Sequence, residues 1–348
     1  MTPSIDPTRK VISQSELARH LGLSEWTVSR AINGHPAVKE STRDRVLKAM
    51  RELGFRPDPL ARGLSGKGTG MIGISFNELR HPILLEKLAL LESFLFEHNF
   101  RSVLAFTRQN EESELRTIAD FRRLRVDAVV LVNSTLSATK CASIGPDLKL
   151  IHLDPIVPQQ GTSVSVDRNF GVELLVDHLF NLGHRYFGTL GILKINSWRW
   201  LGLVKALKKH RLDPAKHLRQ YLPPDVAMEA SYEMGIYLAE QVLADPSAPT
   251  ALLALNDRVA LSAAQHLARH GAPVPGRFSV TGFDHLNISR HLHPTLTTID
   301  HEAPVLMEAA GRLLLQKLEE NAEPENGCQV MIKPSLIVGE STGPAPGR

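Results

Sequence analysis

From residue 71 onward the chain alternates short apolar runs with longer amphipathic stretches, and this alternation restricts the fold more than any other feature. Runs 71–76, 102–106, 128–132 and 150–153 are apolar, partly β-branched and of strand length; stretches 82–97 and 111–123 between them have helix length. A second series follows, with strands at 187–191, 251–255 and 279–282 and helices near 169–182, 199–210, 230–244, 257–269 and 302–319. Strands that are apolar along their whole length are buried on both faces, which parallel sheets with helical crossovers provide. The expected fold class of this region is α/β: two similar lobes with Rossmann-like parallel sheets.

The first seventy residues read differently. Ser13-Gln14-Ser15-Glu16 has capping-box spacing, Leu17, Ala18 and Leu21 form an apolar stripe, and Gly22 stops the helix. Ser24 caps a second helix whose Val28 and Ile32 face the first, with Asn33-Gly34 closing it. A third helix runs over 40–53, with Val46, Leu47 and Met50 inward and Gly54 as its end. Two short helices separated by Gly22-Leu23-Ser24 have the proportions of a helix-turn-helix, or of an unrelated small bundle.

Charge separates the two regions. Residues 1–67 hold 12 basic and 7 acidic side chains, leaving 28 and 30 of the chain's 40 and 37 for the rest. A basic head on a near-neutral body suits a nucleic-acid module joined to something else. Cys141 and Cys328 stand far apart without metal-ligand spacing, as two thiols of a reducing compartment do. No apolar stretch has membrane-spanning length, and the opening residues lack an apolar run of signal-peptide type. Gly68-Thr69-Gly70-Met71-Ile72-Gly73 spells GxGxxG but runs into a strand. A nucleotide fingerprint follows a strand and opens a helix instead. With no GxSxG, HExxH or P-loop sequence, no enzyme is expected and no cofactor or metal is implied.

Leu17-Ala18, Gly22, Ser24, Thr27-Val28-Ser29-Arg30, Asn33-Gly34, Thr42-Arg43 and Arg56-Pro57 resemble the DNA-binding head of the LacI/GalR family of bacterial regulators. The likeness continues through Ala61-Arg62-Gly63-Leu64 and ends near Glu340-Ser341-Thr342, so it covers nearly the whole chain. It implies a helix-turn-helix DNA-binding domain at 9–57 and a hinge helix or linker at 58–68. A periplasmic-binding-protein-like effector and dimerisation domain would fill 69–345, with lobe 1 about 69–166 and 296–325 and lobe 2 about 167–295 and 326–345. In such a head the second helix lies in the major groove. Glu25 and Trp26 then occupy the positions that choose the operator, and Arg30 follows one turn later. Arg30 suits guanine, Glu25 a cytosine amino group, and Trp26 a thymine methyl. The open alternatives are a solvated Glu25 and a Trp26 packed on a neighbouring helix. Ser13, Thr27, Ser29 and Asn33 suit phosphates, and Gln14, Ser24 and Thr42 join the expected DNA-contacting set.

Asp58 and Pro59 write a helix start at the hinge. Gly63 and the short length make that helix marginal alone. In the family it folds on operator, and Leu64 matches the leucine that wedges into the minor groove, beside Ala61 and Arg62. The bland alternative is a linker leucine.

For the body, ligands of open α/β sheets sit at the carboxyl ends of the strands. Asn77, Asp154, Asn256 and Asp284 stand there, and Arg199 begins a helix. Arg199, Asn256 and Asp284 match the family's effector contacts, Asn77 and Asp154 more loosely. Phe76, Trp198 and Phe283 offer stacking faces. For each polar residue the alternative is a helix cap or strand-end turn, and Asp257 reads better as a cap or hinge partner than as a ligand. His285 departs from relatives that carry a second acid there, so a relative's ligand does not transfer. The resemblance thus implies a transcriptional regulator, read as a repressor, with a palindromic DNA operator and a polar effector of carbohydrate type. It would work as a cytoplasmic, nucleoid-associated homodimer without a tetramerising tail. The rivals are a periplasmic-type sugar-binding protein, which has no use for residues 13–64, and a cleft enzyme.

Overall fold

A computed structural model describes residues 13–32, 35–55, 68–108, 110–136, 140, 143, 148–155, 161–192, 198–224, 231–319 and 327–347. The chain divides into two compact units, Met1–Gly70 and Met71–Arg348. Of the sequence expectations, Asn33 and the hinge segment with Ala61, Arg62 and Leu64 lie outside the described residues.

Among its described residues the first unit holds three helices: α1 (Gln14–Leu21), α2 (Glu25–Ile32) and α3 (Glu40–Leu53). The Ser13 side chain accepts from the Glu16 amide while Glu16 reaches back to the Ser13 amide, so the capping box forms as its spacing requires. Gly22 and Gly54 end α1 and α3 at φ values of 66° and 67°, a left-handed conformation that glycine adopts without a Cβ penalty. Leu17, Ala18, Val28, Ala31, Val46, Ala49 and Phe55 make the core of this unit. Small Ala31 and Ala49 carry the close approach of the helices where the sequence pattern had pointed to Ile32 and Met50, which are only half-buried.

The second unit opens with β1 (Met71–Phe76), α4 (Pro82–Glu97), β2 (Arg101–Phe106), α5 (Glu111–Arg123), β3 (Ala128–Val132), β4 (Leu150–Leu153) and β5 (Ser163–Val166). It crosses into α6 (Arg168–Asn181), β6 (Phe187–Leu190), α7 (Trp198–Lys209), α8 (Pro214–His217), β7 (Leu218–Tyr221), α9 (Tyr232–Ala244), β8 (Ala251–Ala254), α10 (Asp257–Arg269) and β9 (Ser279–Thr281). The chain then runs through β10 (Thr298–Asp300), α11 (Ala303–Glu319), β11 (Gln329–Ile332) and β12 (Ser335–Ile337).

Two parallel sheets result. The first has the order β11-β5-β4-β3-β1-β2 and the second β7-β6-β8-β9; β10 and β12 form an antiparallel pair. Helices α4 and α11 cover one face of the first sheet through Leu84, Leu88, Leu91, Leu306, Ala310 and Leu314, while Ile118 and Phe121 of α5 cover the other. Around the second sheet, α6 and α7 lie on one face and α9 and α10 on the other. Burial on both faces explains the continuous apolar strands. Helices α9 and α10 pack closely because Gly235 faces Ser262 and the Val259 carbonyl; a Cβ there would meet them at 2.0 and 2.4 Å.

The lobe boundary differs from the sequence expectation at two places. Residues 296–300, expected in the first lobe, bridge to β9 at Thr297 and put Leu296 and Ile299 in the cores around the second sheet. Within 326–345, expected in the second lobe, β11 joins the first sheet, parallel to β5, before the chain passes to β12. A four-residue edge strand whose partner lies far earlier in the chain leaves no periodic signal of its own.

Candidate functional site

In the first unit, α2 is held by its own cap and by α1. The Ser24 hydroxyl accepts from the Thr27 amide at 3.1 Å and meets the Thr27 hydroxyl at 2.8 Å. The Gln14 side chain donates to the Glu25 carbonyl at 3.2 Å, and the Ser15 hydroxyl donates to the Glu25 carboxylate. Glu25 therefore points its charge at α1. Val28 and Ala31 face the core, which turns Trp26 outward at 63% exposure. The Arg30 guanidinium lies over the Trp26 ring, 3.7 Å from its centroid. Ser13 spends its hydroxyl and amide on Glu16. Ser29 and Thr42 are half-buried, on α2 and α3. Sequence reasoning missed Ser15, whose only signal was its place in the first turn of α1.

In the second unit the expected residues gather at the carboxyl ends of the strands, but they divide into two kinds. Asp284 follows β9 at a φ of 125° and is buried. Strained backbone of this kind persists where the surroundings fix it, which is common at ligand sites. Its carboxylate stands 3.1 Å from His301 Nε2, 3.5 Å from His81 Nε2 and 4.0 Å from Arg199 Nη2. Burial opposes its ionisation, but His301, His81 and Arg199 outweigh that and hold it below the usual carboxylate range. Arg199 lies over Phe283 at 4.4 Å, and Phe283 is itself edge-on to His301 at 5.3 Å. Burial lowers the guanidinium to about 10, which leaves it charged. Among the described residues, Arg199 Nε, Asp284 Oδ2 and His81 Nδ1 are buried polar atoms without a hydrogen-bond partner. Arg199, Phe283 and Asp284 thus form one cluster with donor and acceptor capacity to spare.

The others have internal partners. Asp154, at φ 50°, accepts from Lys87 Nζ at 2.5 Å and the Val166 amide at 2.9 Å, and pairs with Arg168 at 3.1 Å. Against the burial penalty, Arg168 and Lys87 keep its carboxyl ionised far below its ordinary value. Asn77 donates to the Asn133 carbonyl at 2.9 Å, and Asn256 caps α10 by accepting from the Val259 amide at 3.0 Å. Phe76 packs in the first core against Phe106, and Trp198 is half-buried at the start of α7. Asp257 accepts from the Leu286 amide at 2.7 Å and the Thr298 hydroxyl at 2.5 Å, tying α10 to the crossing strand. Burial, with the charge of Asp284, raises it to about 7. His285 turns to Asp300 at 2.6 Å.

Lys87, His81, Arg168 and His301 were not singled out from the sequence. Lys87 sits on the apolar stripe of α4 between Leu84, Leu88 and Leu91, and a lysine in such a stripe is a signal in itself. Its ammonium, nearly sealed from solvent, reaches His301 Nδ1 at 2.9 Å as well as Asp154. Burial and then the Lys87 charge lower His301 to about 4, so it is neutral near pH 7. With Nδ1 accepting from Lys87, the ring's proton is assigned to Nε2, which stands 3.1 Å from the Asp284 carboxylate but makes no aligned hydrogen bond. The chain Asp154–Lys87–His301–Asp284 links the first lobe, through the crossing segment, to the Arg199 cluster. Arg258 adds a second link, from α10 to Glu78 at 3.5 Å and to the Arg80 carbonyl at 3.3 Å.

Residues 15–58 match the description "Bacterial regulatory proteins, lacI family", and residues 176–342 match "Periplasmic binding protein-like domain". The catabolite control protein A of Priestia megaterium is 25% identical over 94% of this chain and 98% of its own length. The HTH-type transcriptional repressor PurR of Pasteurella multocida is 27% identical over 94% of this chain and 97% of its own length. Among solved structures, the Lac repressor dimer bound to operator and an anti-inducer superposes with a TM-score of 0.82 at 25% identity, over 96% of this chain and all of that one. The chain thus carries a lacI-type head and a periplasmic-binding-protein-like body, and these relatives align with it along nearly its full length.

Proposed function

We propose that this chain is a sequence-specific transcriptional regulator, acting as a repressor, whose grip on DNA is set by a small polar effector. The observation that carries the reading is the pairing of an outward Trp26–Arg30 surface on a capped helix with a buried, unsaturated Arg199–Asp284 cluster in a two-lobed body. The head reads base edges in the major groove through α2, and a homodimer matches a palindromic operator. Ser24, Thr27, Ser29, Thr42 and the hinge residues Ala61, Arg62 and Leu64 belong to the DNA-contacting set of this reading. Its place of action is the cytoplasm, at the nucleoid.

Arg199 and Asp284 present a donor fork and an acceptor side by side, which suits the adjacent hydroxyls of a carbohydrate or related metabolite. His81, from the first lobe, completes that set. Asp154, Asn77 and Asn256 support the cleft through their internal bonds. Effector binding shifts the balance between lobe arrangements and so the operator affinity, a coupling of about 1–3 kcal/mol that acts equally in both directions. Carbohydrates and related metabolites are screened by thermal shift against the full chain and Arg199→Ala. A metabolite that stabilises the wild type alone supports the cleft; equal shifts in both remove it.

A further inference from the structure

Trp26 and Arg30 are placed to act as one unit. Four residues apart on α2, they share a face, and 3.7 Å is a stacking separation. An edge-on N–H contact would hold the central carbon farther from the ring. We propose that the pair is a composite reader of a two-base-pair step: guanine bound by Arg30, and a neighbouring A·T pair whose thymine methyl meets the Trp26 indole. This rests on the DNA-binding reading of the head.

The argument is geometric. A guanidinium that takes guanine O6 and N7 together lies near the plane of that base. Successive bases of a strand rise by about 3.4 Å along the duplex. A ring stacked on the guanidinium therefore sits at the level of the next base pair, not of the guanine. There the indole offers an apolar surface, and thymine is the base that presents a methyl in the major groove. The ring also restrains the long arginine before it meets DNA, which reduces the ordering that recognition requires. Glu25 does not compete for this step, because Ser15 holds its carboxylate against α1. Arg30 reads, and Trp26 both positions it and reads beside it.

The consequence is that two operator positions cannot be chosen independently. Operators are first selected from random DNA with the full-length chain. Affinities are then measured for the four combinations of matched and changed base pair at the two positions. Wild type should show penalties that depart from independence by about two- to fivefold, the size of an exposed cation–π contact. Trp26→Ala should lose the thymine preference, weaken the guanine preference by a similar factor and abolish the coupling; Trp26→Phe should keep part of each. Because Trp26 projects away from the core, the Ala variant should keep its helical circular dichroism and melting temperature. Independent penalties in wild type, or unchanged preferences in Trp26→Ala, overturn the composite reader while leaving the regulator intact. A wild type that selects no sequence overturns both.

Discussion

Acidification tests the charge chain behind the cleft. An unfolded histidine takes up its proton near 6.5, whereas His301 stays neutral down to about 4 because it is buried and faces Lys87. Between those values the unfolded chain binds a proton that the folded chain refuses, so stability is full above pH 6.5 and drains as pH falls. For one such group the loss between about pH 7.5 and pH 5 is about 2 kcal/mol. His152, held to about 4 by burial and by Lys317, adds a loss of similar size. Asp257, raised to about 7, takes up its proton first in the folded chain and offsets part of the total over the same range, so the wild-type loss alone does not isolate His301. His301→Gln separates them: glutamine can accept from Lys87 and donate to Asp284 without titrating over this range. Urea unfolding of wild type and variant at both pH values gives the comparison. The variant should lose about 2 kcal/mol less than wild type on acidification. Parallel losses would mean that His301 is not held as a buried neutral ring, and the proton assignment at Asp284 would fall with it.

Lys87→Met leaves His301 without its donor and Asp154 with one cation fewer, and should cost about 3–5 kcal/mol in urea unfolding. Adding Asp154→Asn should recover part of that loss; no recovery would separate the two groups energetically. Gly235→Ala places a methyl group against Ser262 and the Val259 carbonyl, and should lower stability by about 1–3 kcal/mol with Tm as the readout.

The sequence was most informative where the determinants are local. The Ser13–Glu16 box, the stop at Gly22 and the apolar spacing of 82–97 depend on neighbours within a turn or two, and each appears at the expected place. Strands β5, β7, β10, β11 and β12 were missed, since short strands holding Ser, Thr, Arg and Gln at a sheet edge or crossing carry little periodic signal. At the cleft, position after a strand identified Asp154 and Asn256 as well as Asp284, but could not show which carboxylates meet a protein cation. Lys87 arrives at Asp154 from a helix 67 residues away in sequence, and His301 reaches Lys87 across 214. Those pairings come from the three passages of the chain between lobes, which local patterns do not encode. On the head, the spacing of Trp26 and Arg30 was visible, while the engagement of Glu25 by Ser15 required the packing of α1 on α2.

Equilibrium binding of the full-length chain to its selected palindrome, at fixed salt and with each of a panel of polar metabolites, tests the central claim most directly. The palindrome should be preferred over scrambled DNA by about 10³-fold or more. One metabolite should change that affinity by about 5- to 150-fold, and do so no longer in Arg199→Ala. Equal affinity for palindrome and scrambled DNA, whatever metabolite is present, would contradict the account.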